Sequence, residues 1–212
     1  MKRALLPVIV GAAMLSTAAN AAVLVSTEDA TRPYSGPTPT YDFDSAPAPV
    51  VGGIVTSTEV QGRIRPTGST GNFLAAGPNN GGAATLDISM FGPVAQLSFL
   101  WGSMDFANTF ELLDAANNVL FSINGQAVKD LGAVPPANVN RIVTFKITDA
   151  ATQAAAVAAR FSSSSDSFEL DNVAIQAVPE PATWMMMILG MLGVGFAMRR
   201  RPAEPAMRIR FS

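Results

Sequence analysis

From residue 54 onward the chain is a series of short apolar runs cut by glycine, asparagine and proline. Period-two alternation stands out in Val143-Thr144-Phe145-Lys146-Ile147 and along Phe168-Glu169-Leu170-Asp171-Asn172-Val173-Ala174-Ile175. That spacing sends alternate side chains to opposite faces of a strand, one of them toward a core. Strands are predicted over 53–60, 72–75, 84–88, 94–101, 109–113, 119–123, 141–147 and 167–175, with turns at 77–82 and 116–118. This series predicts an all-β domain, an antiparallel β-sandwich or jelly roll.

Residues 22–49 carry prolines at 33, 37, 39, 47 and 49. No helix survives that spacing, so an extended entry is expected, with a short strand around Tyr41-Asp42-Phe43-Asp44. Residues 150–159 are alanine-rich and suit a helix, yet Ala156-Val157-Ala158-Ala159-Arg160-Phe161 suits a strand. Strand neighbours on both sides favour the strand. The serines at 162–165 read as a loop.

The two ends follow other rules. Lys2 and Arg3 precede an apolar stretch over 4–15, and Ala19-Asn20-Ala21 offers small residues to a signal peptidase. Residues 1–21 therefore read as a signal peptide with Ala22 first in the mature chain. The stretch is too short to span a membrane comfortably as an anchor. At the other end, 182–198 is uncharged and followed by Arg199, Arg200 and Arg201. Seventeen residues make about 25 Å of helix, at the lower limit for a bilayer. The reading is a single C-terminal transmembrane helix, with Trp184 at the interface and the arginines and residues 202–212 in the cytoplasm.

Charge sharpens this division. The chain's formal net charge is −2, but residues 22–178 hold fourteen acids against seven bases, a charge of −7. An acidic middle without a basic patch excludes nucleic acid as an expected partner. The chain has no cysteine and no histidine. Disulfides, Ser-His-Asp triads, Cys-His pairs and typical zinc sites are thereby excluded.

Two stretches also carry resemblances. Pro179-Glu180-Pro181, then Trp184, an apolar helix and an arginine cluster resemble the PEP-CTERM sorting signal in its PEPxxWA variant. Met185 stands where that variant has alanine, and eleven residues follow the arginines. The resemblance implies a 178–201 sorting segment processed by an exosortase, a membrane cysteine protease, on a protein exported to the surface of a Gram-negative bacterium. The second stretch is Leu97-Ser98-Phe99-Leu100-Trp101-Gly102-Ser103-Met104-Asp105, with Asn108-Thr109-Phe110-Glu111-Leu112 and a closing Ser167–Val173 segment. These look like ectodomains of exosortase-dependent surface proteins, which are similar to jelly-roll carbohydrate-binding modules. They imply a 22–177 ectodomain at home in extracellular polysaccharide or biofilm matrix.

Candidate chemistry is sparse. Asp105 with Glu111, or Glu169 with Asp171, could form the carboxylate pair of a glycosidase. Glu169 and Asp171 share one strand face, and all four read as solvent-facing acids, so no enzyme is expected. Asp42, Asp44, Asp171 and Asn172 are oxygen donors in the first and last strands, which a closing jelly roll brings together. They are the candidate ligands of a structural calcium, the one cofactor expected at all. Trp101 could stack on a sugar ring, although Leu97, Phe99 and Trp101 share a face that reads as core. The expectation is a non-enzymatic matrix protein, with a dedicated carbohydrate-binding module as the alternative.

Overall fold

The computed structural model describes residues 23–30, 32–45, 47–131, 140–179 and 181–199. The predicted signal peptide, with Ala19, Ala21 and Ala22, lies outside them, as do Glu180, Arg200, Arg201 and the 202–212 tail.

Among the described residues eleven strands form two antiparallel sheets. They are β1 (Val23–Asp29), β2 (Val50–Val51), β3 (Ile54–Thr56), β4 (Phe73–Ala76), β5 (Ala84–Asp87), β6 (Val94–Gly102), β7 (Asn108–Leu113), β8 (Val119–Asn124), β9 (Arg141–Ile147), β10 (Ala158–Ser163) and β11 (Phe168–Ala177). One sheet has the order β1-β9-β6-β11-β4-β3, the other β2-β5-β10-β7-β8. From β4 onward the strands are dealt between the sheets as in a jelly roll, with β4, β6, β9 and β11 facing β5, β7, β8 and β10.

The two inner faces enclose an aromatic core. Phe99 sits at its centre, with ring centroids 5.3 Å from Phe110, 5.6 Å from Phe145 and 5.2 Å from Phe161. Trp101 is fully buried and stacks on Phe168 at 4.4 Å. Each ring removes about 150–250 Å² from water, which makes this cluster the main source of stability. The sugar-stacking role considered for Trp101 is therefore corrected. Its strand alternation with Leu97 and Phe99 points it inward, and no ligand can reach the indole.

Four elements differ from the sequence reading. Residues 23–29 form a full edge strand, because Val23 and Val25 alternate onto the core against β9 while Leu24 faces out. Of the predicted 53–60 strand only Ile54–Thr56 is formed, as β3, and the preceding β2 belongs to the other sheet. Gly52 and Gly53, at φ 76° and 66°, turn the corner between them. A side chain at Gly52 would meet the Ala83 carbonyl oxygen at 2.1 Å. Residues Ala150–Ala155 form a helix, α2, rather than a strand, because Asp149 caps it by accepting from the Thr152 amide at 2.8 Å. The strand reading holds only from Ala158. A further helix, α1 (Gly125–Asp130), is capped by Asn124 and buries Val128.

The C-terminal helix α3 covers Pro181–Arg199. Its described apolar side chains, from Trp184 to Met198, are all exposed. Among the described residues no helix is long and apolar enough to cross a membrane. The predicted span over 182–198 is thus not supported. It is short against a hydrocarbon core of about 30 Å, and Gly190, Gly193 and Gly195 dilute its apolar surface.

Candidate functional site

The outer face of the six-stranded sheet is where most candidate residues come together. Along β11, Phe168 and Leu170 point into the sandwich core, so Glu169 and Asp171 point outward. They do not meet solvent. Segments 32–45 and 57–72 wrap over this end of the sheet, and both carboxylates are almost wholly buried. The expectation of solvent-facing acids is corrected, because strand alternation assigns a face but not what covers it.

Glu169 accepts hydrogen bonds at Oε1 from the Ser167 hydroxyl at 2.5 Å and the Ile64 amide at 3.0 Å. Its buried Oε2 has no partner among the described residues. Burial raises its pKa to about 7 against those two donors, and the nearby charge of Asp105 adds to the rise. Asp171 accepts from the Asn172 amide at 2.7 Å. Burial also raises its pKa to about 7, and the charges of Asp44 and Asp42 push the same way. Tyr34 lies close enough that burial, then Asp171 and Glu28, raise its hydroxyl to about 12.

The Tyr41–Asp44 segment does meet the last strand, β11, although the first strand of the fold is β1, which pairs with β9 instead. Tyr41 bridges Val173, with the Thr40 and Tyr41 amides both donating to the Val173 carbonyl oxygen. The junction is built from unusual backbone: Phe43 and Asn172 have φ of 57° and 52°, and the β11–β6 register shifts between Asp171 and Ala174. Non-glycine residues with positive φ persist only where their surroundings hold them.

The acids are brought near one another but are otherwise engaged. Asp42 closes its own turn, accepting from the Ser45 amide, the Ser45 hydroxyl and the Asp44 amide. The Ser45 bonds, more than the Asp44 amide, hold its carboxyl below the usual range, against a small opposing effect of burial. Asp44 accepts from the Asn72 amide, and Asn72 in turn donates to the Phe43 carbonyl oxygen. Among the described residues no group of three or more carboxylates is placed to hold a metal ion.

The other carboxylate pair is also accounted for. Glu111 on β7 forms an ion pair with Arg160 on β10 at 2.6 Å. Asp105 accepts from the Ala107 and Asn108 amides in a turn. A glycosidase needs two carboxyls flanking one open cleft, and neither pair has that arrangement.

Sequence reasoning passed over Gln96, Ser98 and Gln176. Their outward positions follow from the inward ones of Leu97 and Phe99, but the segment that roofs them, Pro37-Thr38, is remote in sequence. A low-charge stretch of outward amides and hydroxyls was the available signal.

At the C-terminus the sandwich runs directly into the sorting segment. β11 ends at Ala177, and the Val178 amide still donates to the Pro93 carbonyl oxygen at 2.8 Å. Pro179 is exposed and α3 begins at Pro181, where a proline costs no helical hydrogen bond. Trp184 is exposed on the first turn, and Arg199 ends the helix.

No curated protein and no solved structure matches this chain. Residues 177–201 match the PEP-CTERM protein-sorting motif, which implies an exported, membrane-processed substrate of an exosortase.

Proposed function

We propose that this chain is a non-enzymatic surface protein of a Gram-negative bacterium, whose β-sandwich is delivered through its C-terminal motif to work in extracellular polysaccharide or biofilm matrix. The carrying observation is the motif match at 177–201, immediately after the last strand of the folded domain. Support for a non-enzymatic role comes from the lack of histidine and cysteine and from acids committed to turns, ion pairs or burial. Signal peptidase and exosortase are the processing partners, and calcium is not needed for this reading.

In a host with an exosortase, intact-mass measurement of the surface fraction should find a species from Ala22 to near Pro181. A surface species that keeps its tail through Ser212 would overturn the sorting reading.

A second reading, a carbohydrate-binding module with a defined sugar ligand, is favoured by one observation. A cleft of about 190 Å³ opens on the outer sheet face, floored by amides and a hydroxyl.

A further inference from the structure

On the half of the six-stranded sheet away from the buried acids, the outer face is polar and nearly uncharged. Directly opposed residues on paired strands share a face. One row across β1, β9, β6 and β11 therefore reads Leu24, Lys146, Gln96 and Gln176, and the next reads Ser26, Thr144, Ser98 and Ala174. The segment before Tyr41 roofs one side of these rows. It is pinned by the Ile175 amide, which donates to Thr40 Oγ1 at 3.0 Å. Between roof and floor lies the 190 Å³ cleft, lined by Pro37, Thr38, Gln96, Ser98 and Gln176 together with Ala174 and Ile175.

Ser98 sets this cleft apart from an ordinary solvated sheet face. It is 1% exposed, it lines the cleft, and its Oγ has no hydrogen-bond partner among the described residues. Buried hydroxyls are almost always paired, so an unpaired one facing a cleft points to a ligand group that completes it. Beside it, Gln96 and Gln176 are directly opposed across β6 and β11.

We propose that this cleft binds a single sugar unit of a polysaccharide, with the Gln96 and Gln176 amides and the Ser98 hydroxyl bonding its hydroxyl groups and Pro37 covering an apolar ring face. Primary amides and hydroxyls each donate and accept, which suits a ligand whose hydroxyls do both. The volume is below the roughly 300 Å³ of sites for drug-sized ligands, consistent with one ring rather than a long segment. A peptide adding as a strand needs an open sheet edge; β6 is paired on both sides, and beside the cleft the free side of β11 is taken up by Tyr41 bridging Val173 and by the Ile175 amide donating to Thr40 Oγ1. Lys146, exposed at the rim opposite Gln96, would favour an acidic sugar over a neutral one.

This inference rests on the carbohydrate-binding reading and is independent of sorting. Its failure leaves the processed mass unchanged, and failed processing leaves the cleft intact. The test is a nuclear magnetic resonance titration of the full chain in a phosphocholine detergent, since sugar-headed detergents would compete. Glucose, galactose, mannose, N-acetylglucosamine and glucuronic acid are the probes. At least one should give saturable shifts of the Gln96 and Gln176 side-chain amides and the Thr38 and Ser98 backbone amides. The double variant Gln96→Ala/Gln176→Ala should keep its melting temperature and bind roughly tenfold more weakly, the loss expected for about two hydrogen bonds. Ser98→Ala should weaken binding severalfold. The proposal is overturned if none of the probes shifts these amides, or if the double variant responds as the unsubstituted chain does.

Discussion

Two regions of β11 are equally buried and yet differ in kind. Phe168 and Leu170 face the aromatic core between the sheets, whereas Glu169 and Asp171 face the layer beneath the covering segments. The inner region is held by apolar contact and is indifferent to pH. The outer one buries two carboxyls that remain protonated to about pH 7. One strand thus carries both the main source of stability and a conditional cost. The difference shows that burial on a sandwich is not a single property. A facing sheet excludes water with side chains that need no partners, while a loop cover brings backbone donors such as the Ile64 amide within reach of a carboxylate.

The largest effect should come from breaking the inner region. Phe99 contacts five other aromatic rings, Trp101, Phe110, Phe145, Phe161 and Phe168. Phe99→Ala should cost about 3–5 kcal/mol through lost burial and the remaining cavity. Urea unfolding monitored by Trp101 fluorescence measures this, and a cost below about 1 kcal/mol would show that the core repacks freely.

The outer region should respond to pH instead. Each carboxyl has a folded pKa near 7, above its unfolded value of about 4. The folded state keeps protons that the unfolded chain has already lost. The stabilising contribution is therefore complete below about pH 4 and is lost as pH rises to about 7. At about 1.4 kcal/mol per pH unit, each group can account for up to about 4 kcal/mol across that window. Glu169→Gln with Asp171→Asn should flatten the dependence, raising stability at pH 7.5 and changing little at pH 4. An unsubstituted protein with equal urea midpoints at both pH values would place these carboxyls in water.

Calcium should have the smallest effect. With Asp42 closing its turn and Asp44 holding Asn72, melting in millimolar calcium and in chelator should agree. A calcium-dependent rise that Asp171→Ala removes would instead restore Asp42, Asp44, Asp171 and Asn172 as a cation site.

Much of the sandwich could be read from local pattern, and the reasons are physical. Strands β6, β9 and β11 show alternation or long β-favouring runs, and those are the strands that dominate the core. The α2 segment was misread because the Asp149 cap outweighed the preferences of its neighbours. The 53–60 run is shorter than its pattern predicts because a turn bridge such as Val60 to Arg63 leaves the same apolar trace as a strand. The buried acids and the amide-floored cleft stayed hidden, since each depends on a covering segment separated from it by more than fifty residues.

By itself the sequence determined the order of parts: a signal-like start, an acidic all-β middle, and a sorting motif ending in arginines. Those features depend on composition and spacing along the chain, which need no folding to be read. Only the tertiary structure decided which polar residues lost water, which aromatic was inaccessible, and which outward side chains met beneath Pro37. Such outcomes depend on loop covers and strand neighbours, and contacts between distant segments leave no periodic trace in a single sequence.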